Sequence, residues 1–233
     1  MARIDGRAND QLRPIEIIPN FNKFAEGSCL IRCGNTQVLC CASVEDRTPP
    51  HVPEGEGWVT AEYSMLPRAN RERSRRDVSK LKLSPRSAEI QRLVGRSLRA
   101  CVDMKKLGER SVTIDCDVLQ GDGGTRTASV TGGYVALALA LKKVGAADAL
   151  VDSVAAVSAG IVGDELLLDL CYEEDSSAQV DLNCVMTGGG QLVELQGTGE
   201  GRAFTIEEQR ALVDLCAKGI DQLREIQKKV LEG

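Results

Sequence analysis

The sequence predicts an α+β domain, and three observations carry that expectation. Strand and helix patterns interleave irregularly, neighbouring strands are joined through short glycine turns, and no segment repeats or reads as a linker. A doubly wound parallel sheet would alternate strands and helices regularly instead. At 233 residues the chain suits one large domain with its own core, so residues 1–233 read as a single unit.

The elements follow in order. Ile15–Ile18 runs as a strand into Pro19, and Ser28–Cys33 reaches a turn at Gly34-Asn35. Thr36–Val44 continues beyond it, which predicts an antiparallel hairpin. Prolines and glycines mark residues 46–57 as a loop, followed by a short strand over Trp58–Tyr63. Residues 67–86 are polar and arginine-rich with almost no apolar periodicity, which predicts a mobile loop. Ser84-Pro85 starts a helix with Pro85 near its first position, and Ile90, Leu93, Val94, Leu98 and Val102 recur at helical spacing. Val112–Leu119 alternates as a strand, runs into Gly121-Asp122-Gly123-Gly124-Thr125-Arg126, and gives way to a helix over about Thr127–Val144. Ser153–Ser158 and Glu165–Leu170 form strands joined through Gly160 and Gly163. Val180–Met186 and Leu192–Gln196 form another pair across Gly188–Gly190. A capping box, Thr205-Ile206-Glu207-Glu208, opens a last helix that reaches about Leu231.

Composition excludes several classes. The longest apolar stretch, Tyr134–Leu141, falls far short of the roughly 20 residues of a membrane helix. The segment Met1–Arg7 has no apolar core of the kind a secretion signal carries, so a cytoplasmic protein without membrane association is expected. The nine cysteines include no C-x-x-C pair and sit mostly in apolar runs, which predicts reduced thiols packed as small hydrophobes. The single histidine, His51, lies in a proline-marked loop with no setting for a catalytic triad, and a multi-histidine metal site is impossible. The chemistry must therefore run on carboxylates, arginines, hydroxyls and backbone.

The formal net charge of −5 hides an asymmetry. Between Arg68 and Arg110 stand fourteen Lys/Arg against five Asp/Glu, so that window is +9 and the remainder −14. Basic stretches are often only solvated helix faces. Here arginine outnumbers lysine ten to four, which favours phosphate recognition by the bidentate guanidinium fork.

Two further segments could do chemistry. The turn Gly-Asp-Gly-Gly-Thr-Arg between strand and helix offers free backbone N–H groups at a helix N-terminus, suited to an anion. It is neither a Walker A loop nor a dinucleotide fingerprint, and alone it reads equally as a structural turn. The second segment, Leu168–Asp181, carries five carboxylates. It is either a solvated turn or a place where two carboxylates hold a hard divalent cation or one gives a proton to a leaving oxygen. A basic block, an anion turn and an acid cluster are together the parts required for phosphoryl transfer on a nucleic acid. A phosphate dianion is already a nucleophile at neutral pH, so the lack of a usable histidine fits attack by phosphate better than attack by water.

Asp5-Gly6-Arg7-Ala8-Asn9-Asp10-Gln11-Leu12-Arg13-Pro14, the helix Ser87–Arg99, Gly123–Ser129 and Tyr172-Glu173-Glu174-Asp175-Ser176 resemble, in order, the ribonuclease PH family. The likeness runs from about residue 3 to the C-terminal helix. It implies an α+β fold like ribosomal protein S5 domain 2 and a homo-hexameric ring built as a trimer of dimers. It also implies a phosphate-dependent 3′→5′ exoribonuclease that trims extra nucleotides from tRNA precursors and other RNA 3′ ends, releasing nucleoside 5′-diphosphates. By the same resemblance Arg86, Gly124, Thr125 and Arg126 would bind the attacking inorganic phosphate. Asp175 and Asp181 would position magnesium or donate the proton. Arg92 and Arg99 would face the RNA 3′ end, and Arg68, Arg71, Arg73 and Arg76 fall in the segment that would grip tRNA. Cys171 and Gly121 depart from the family pattern without touching these positions. Two other classes stand beside this one: a catalytically silent RNA-binding ring subunit, and a small-molecule phosphotransferase, which would leave the basic block unexplained.

Overall fold

The structure is a computed structural model, and it describes residues 3–76 and 82–233. The first sheet holds β1 (Ile15–Pro19), β2 (Gly27–Cys33), β3 (Thr36–Glu45), β4 (Trp58–Met65) and β5 (Ser111–Gln120) in the order β1-β2-β3-β5-β4. All pairs are antiparallel except β4 with β5, which is parallel. The predicted hairpin is the β2–β3 pair, with Cys33 opposite Thr36 across the Gly34 turn. Alternation decides which face is covered: Thr36, Val38, Cys40 and Ala42 of β3 are buried, as are Val112, Ile114, Cys116 and Val118 of β5.

That buried face is covered by α1 (Pro85–Arg99) and α3 (Thr125–Lys143). Helix α1 starts as the sequence predicts, with Ser84 as N-cap and Pro85 in the first turn. Its predicted last apolar position, Val102, falls beyond the helix and bridges Leu150 instead. Helix α3 is buried almost all round, which is why its sequence is apolar without a polar face. Gly132 lets it lie on Ile31 and Cys40, where a Cβ would stand 2.8 and 3.0 Å away.

The second sheet, ordered β7-β6-β8-β9, is antiparallel throughout and comprises β6 (Val154–Val162), β7 (Glu165–Leu168), β8 (Val180–Thr187) and β9 (Leu192–Thr198). Val154 and Ala156 of β6 join the core around α3. Ala155, Val157 and Ala159 pack with the long helix α5 (Ile206–Glu232), so this strand is buried on both faces. The predicted capping box on α5 is present, with Thr205 and Glu208 capping each other's backbone. The mixed sheets and covering helices are the α+β class that the sequence predicts.

Four short elements differ from the sequence reading. Met104–Leu107 forms α2, and Ala147–Ala149 forms a 3-10 turn; neither shows a period long enough to notice. The predicted strand over Glu165–Leu170 stops at Leu168, because Asp169 takes a left-handed φ of 54°. The acidic run after it is a helix, α4 (Tyr172–Ser177), rather than a turn. Eight of the nine cysteines are buried and all are free thiols, as their apolar settings predict. Of the predicted mobile loop over 67–86, residues 77–81 lie outside the described residues; Ser74 N–H closes back on the Pro67 carbonyl at 2.9 Å.

Candidate active site

A cleft of about 470 Å³ opens where the two sheets meet. Helix α1 contributes Arg86 and Glu89, the glycine turn and α3 contribute Gly124, Thr125 and Arg126, α4 contributes Asp175 and Ser176, and β8 contributes Asp181 and Asn183. Strand β9 and the loop after it close the wall with Gln196, Thr198 and Glu200. Two contacts bring α1 onto β9: Arg96 pairs with Glu194, and Gln196 Nε2 donates to Glu89 Oε1 at 2.8 Å. Six of the predicted residues, Arg86, Gly124, Thr125, Arg126, Asp175 and Asp181, thus converge from five elements.

The turn leaves the start of a long helix uncapped. Gly123 (φ 76°) and Gly124 (φ 65°) are both left-handed, and Gly124 is the N-cap of α3, so the helix begins at Thr125 rather than at Thr127. No side chain caps this N-terminus. Its first N–H groups face the cleft end of the helix, where an anion is favoured. The Thr125 hydroxyl is fixed by Tyr63 at 2.9 Å, and Arg126 is aimed by Gln196 and by Glu89 at 3.4 Å.

The two aspartates differ. Asp175 is raised above its ordinary value by desolvation, with Arg86 and Arg126 opposing. Asp181 is pushed up to about 6, first by burial and then by the Asp175 charge. Asp181 Oδ2 accepts from Asn183 at 3.1 Å, while its Oδ1 is buried without a hydrogen-bond donor. Two hard oxygen ligands that repel each other, one with an unpaired buried oxygen, fit a divalent cation such as Mg²⁺, which keeps waters and shares substrate phosphate oxygens. Among the described residues no cluster of three or more His, Cys, Asp or Glu offers a complete protein cage.

The other predicted arginines lie elsewhere. Arg92 is exposed on α1 and does not line the cleft. Arg99 stacks on Trp58 at 4.6 Å and donates to the Val59 carbonyl at 2.8 Å. Arg68 and Arg71 line a separate cleft with Asp122 and Glu173, and Arg71 pairs with Glu173 beside the Tyr172 ring. Arg76 borders a third hollow, over the open face of the first sheet, and Arg73 is exposed. Sequence reasoning gave no role to Glu89, although it stands in the Ser87–Arg99 motif, or to Asn183, Gln196 and Glu200, which stand in none. It also missed a buried network of Arg3, Arg7 and Arg13 with Asp169 and Glu174, although three of its arginines stand in or beside the N-terminal motif.

Comparison with known proteins accounts for this arrangement. Residues 11–143 match the model of the 3′ exoribonuclease family, domain 1, and residues 152–216 that of domain 2. Ribonuclease PH of Moorella thermoacetica is 55% identical over 237 residues, covering 99% of this chain and 95% of that protein. Ribonuclease PH of Bacillus subtilis is 55% identical over 236 residues, covering 98% and 96%. The Archaeoglobus fulgidus exosome with RNA bound to the active site superposes with a TM-score of 0.79 at 27% identity, over 96% of this chain and 91% of that one. A fold and a sequence that agree over nearly the whole length leave one conclusion, that the chain belongs to the 3′ exoribonuclease family.

Proposed function

We propose that the chain is a phosphate-dependent 3′→5′ exoribonuclease that trims extra nucleotides from tRNA precursors, with inorganic phosphate as nucleophile. The observation that carries this reading is the convergence of Arg86, Gly124, Thr125 and Arg126 with Asp175 and Asp181 on one cleft. In the reaction a hydrogenphosphate oxygen attacks the phosphorus of the last phosphodiester, the bond to the 3′-oxygen breaks, and a nucleoside 5′-diphosphate leaves. The proton that hydrogenphosphate brings ends on the new 3′-hydroxyl, so atoms and charge balance. Arg86 and Arg126 hold the phosphate against the like-charged diester, with the Thr125 hydroxyl and the α3 N-terminus as further donors. Asp181, pushed up to about 6 by burial and by Asp175, is suited to relay the proton. A divalent cation held by Asp175, and by Asp181 once it has given up its proton, would neutralise charge on the reacting phosphates.

In the same reading residues 1–233 work as one domain, since α3 from the first half packs on β6 of the second. Arg68, Arg73, Arg76 and Arg92 are exposed and meet the RNA, while Arg71 and Arg99 reach it only by giving up their present contacts. The protein assembles as a homo-hexameric ring in the cytoplasm, a reading supported by its family resemblance. No helix among the described residues is long and apolar enough to cross a membrane.

Arg126→Lys tests the phosphate site, because lysine keeps the charge and loses the planar fork. The KM for phosphate should rise about ten-fold or more with the KM for RNA little changed. An unchanged phosphate KM would remove Arg126 from the role given to it.

A further inference from the structure

The buried N-terminal arginines do not line the cleft, yet the groups they hold adjoin both halves of the site. Arg13 grips Asp169 with Nε and Nη2 at 3.0 and 2.7 Å, and its Nη1 donates to the Asp122 carbonyl of the glycine turn at 2.6 Å. On the other side of that turn the buried Thr36 hydroxyl accepts from Asp122 N–H at 2.9 Å and donates to the Gly123 carbonyl at 2.7 Å. Arg3 holds both oxygens of Glu174, at 2.9 and 2.7 Å, and Glu174 is the residue before Asp175. Arg7 lies between the two pairs, 3.7 Å from Asp169 and 3.6 Å from Glu174.

These contacts supply what the local sequence lacks. The turn has two consecutive left-handed glycines and no capping side chain; the nearby Thr127 hydroxyl holds its Gly124 carbonyl at 2.9 Å, while the Asp122 and Gly123 carbonyls are held from distant parts of the chain. Helix α4 has six residues, too few to be stable alone, and its Glu174 also receives the Cys171 N–H at 3.1 Å. We propose that Arg13 and Thr36 are positioning residues for the phosphate-binding turn, and that the Arg3–Glu174 pair is the positioning device for Asp175. Phosphate affinity and the chemical step then have different principal supports, joined where the Tyr172 N–H of α4 donates to Asp122 Oδ1 at 3.3 Å. This inference rests on the proposed phosphorolysis and assigns to it residues outside the cleft.

The test is steady-state kinetics on Thr36→Val, Arg13→Lys and Glu174→Gln, with phosphate and RNA varied separately and melting temperatures measured alongside. Thr36→Val is nearly isosteric and neutral, so it carries the test if Arg13→Lys does not fold. Thr36→Val and Arg13→Lys should raise the phosphate KM about ten-fold while the RNA KM moves less than about two-fold. Glu174→Gln should lower kcat about ten-fold or more at an unchanged phosphate KM. A folded Thr36→Val with wild-type phosphate KM, or the same kinetic change in all three variants, would overturn the inference. Wild-type activity indifferent to phosphate would instead overturn the proposed function and this inference with it.

Discussion

Burial acts on Asp181 and Asp169 with opposite results. Burial and the Asp175 charge push Asp181 up to about 6, against partial opposition from Arg126 and Asn183. Burial would raise Asp169 too, but Arg13 and then Arg7 hold it below its ordinary 3.8. Pairing of Asp169 therefore stabilises the fold above pH 3.8 and is lost as pH falls through its lower folded value. The signs reverse for Asp181: its contribution to native stability is full below 3.8 and is lost as pH rises through about 6, where the buried carboxyl must ionise. Asp181→Asn removes that penalty. Without divalent cations the variant should gain about 1–3 kcal/mol at pH 7.5, discounted for partial exposure, and less than about 1 kcal/mol at pH 4. Urea denaturation at the two pH values, with turnover assayed in parallel, checks this. Equal gains at both pH values would contradict ionisation as the cause, and full activity would remove Asp181 from the mechanism. Resemblance to a family is what made the two aspartates legible in the sequence. The Arg13–Asp169 pair was not, because its residues stand 156 apart and each alone is an ordinary charged residue.

Elements were legible in proportion to how long their pattern runs. The ten-residue strands β3 and β5 alternate cleanly, and α5 announces itself by its cap and length. Helix α4 was hidden because three carboxylates in six residues show no apolar period. Its place depends on Gly123, where a Cβ would stand 2.5 Å from the Leu170 carbonyl, on the chain leading into α4. At Gly124 a Cβ would meet the Arg13 Nη2 at 3.0 Å, the Thr127 hydroxyl at 3.2 Å and the Asp169 carboxylate at 4.0 Å, side-chain atoms of the phosphate-binding end rather than the backbone leading into α4. Both alanine variants carry left-handed strain of about 1–2 kcal/mol. Gly123→Ala should lose about 2 kcal/mol more by displacing α4 from the turn, with kcat falling as Asp175 moves. Gly124→Ala should chiefly raise the phosphate KM. Thermal denaturation with kinetics on both variants distinguishes them, and a Gly123→Ala protein of wild-type stability and kcat would refute the contact.

At the scale of the whole molecule, the cleft exists because two halves of the chain meet. Each half has its own sheet: the first brings arginines on α1 and α3, and the second brings carboxylates on α4 and β8. The sequence showed the basic side of the cleft as a +9 window in an otherwise acidic chain, but it read residues 1–233 as one unit and showed no division into halves. It did not show that β9 closes the wall through Gln196, since a strand's partners are set by topology rather than local pattern. The central claim is that the joined halves use phosphate, not water, to cleave RNA from its 3′ end. Its most direct test is incubation of the protein with Mg²⁺ and a tRNA carrying extra 3′ nucleotides, with and without inorganic phosphate. Nucleoside 5′-diphosphates should form only when phosphate is present. Release of 5′-monophosphates at a rate indifferent to phosphate, or RNA binding with no shortening, would contradict the account.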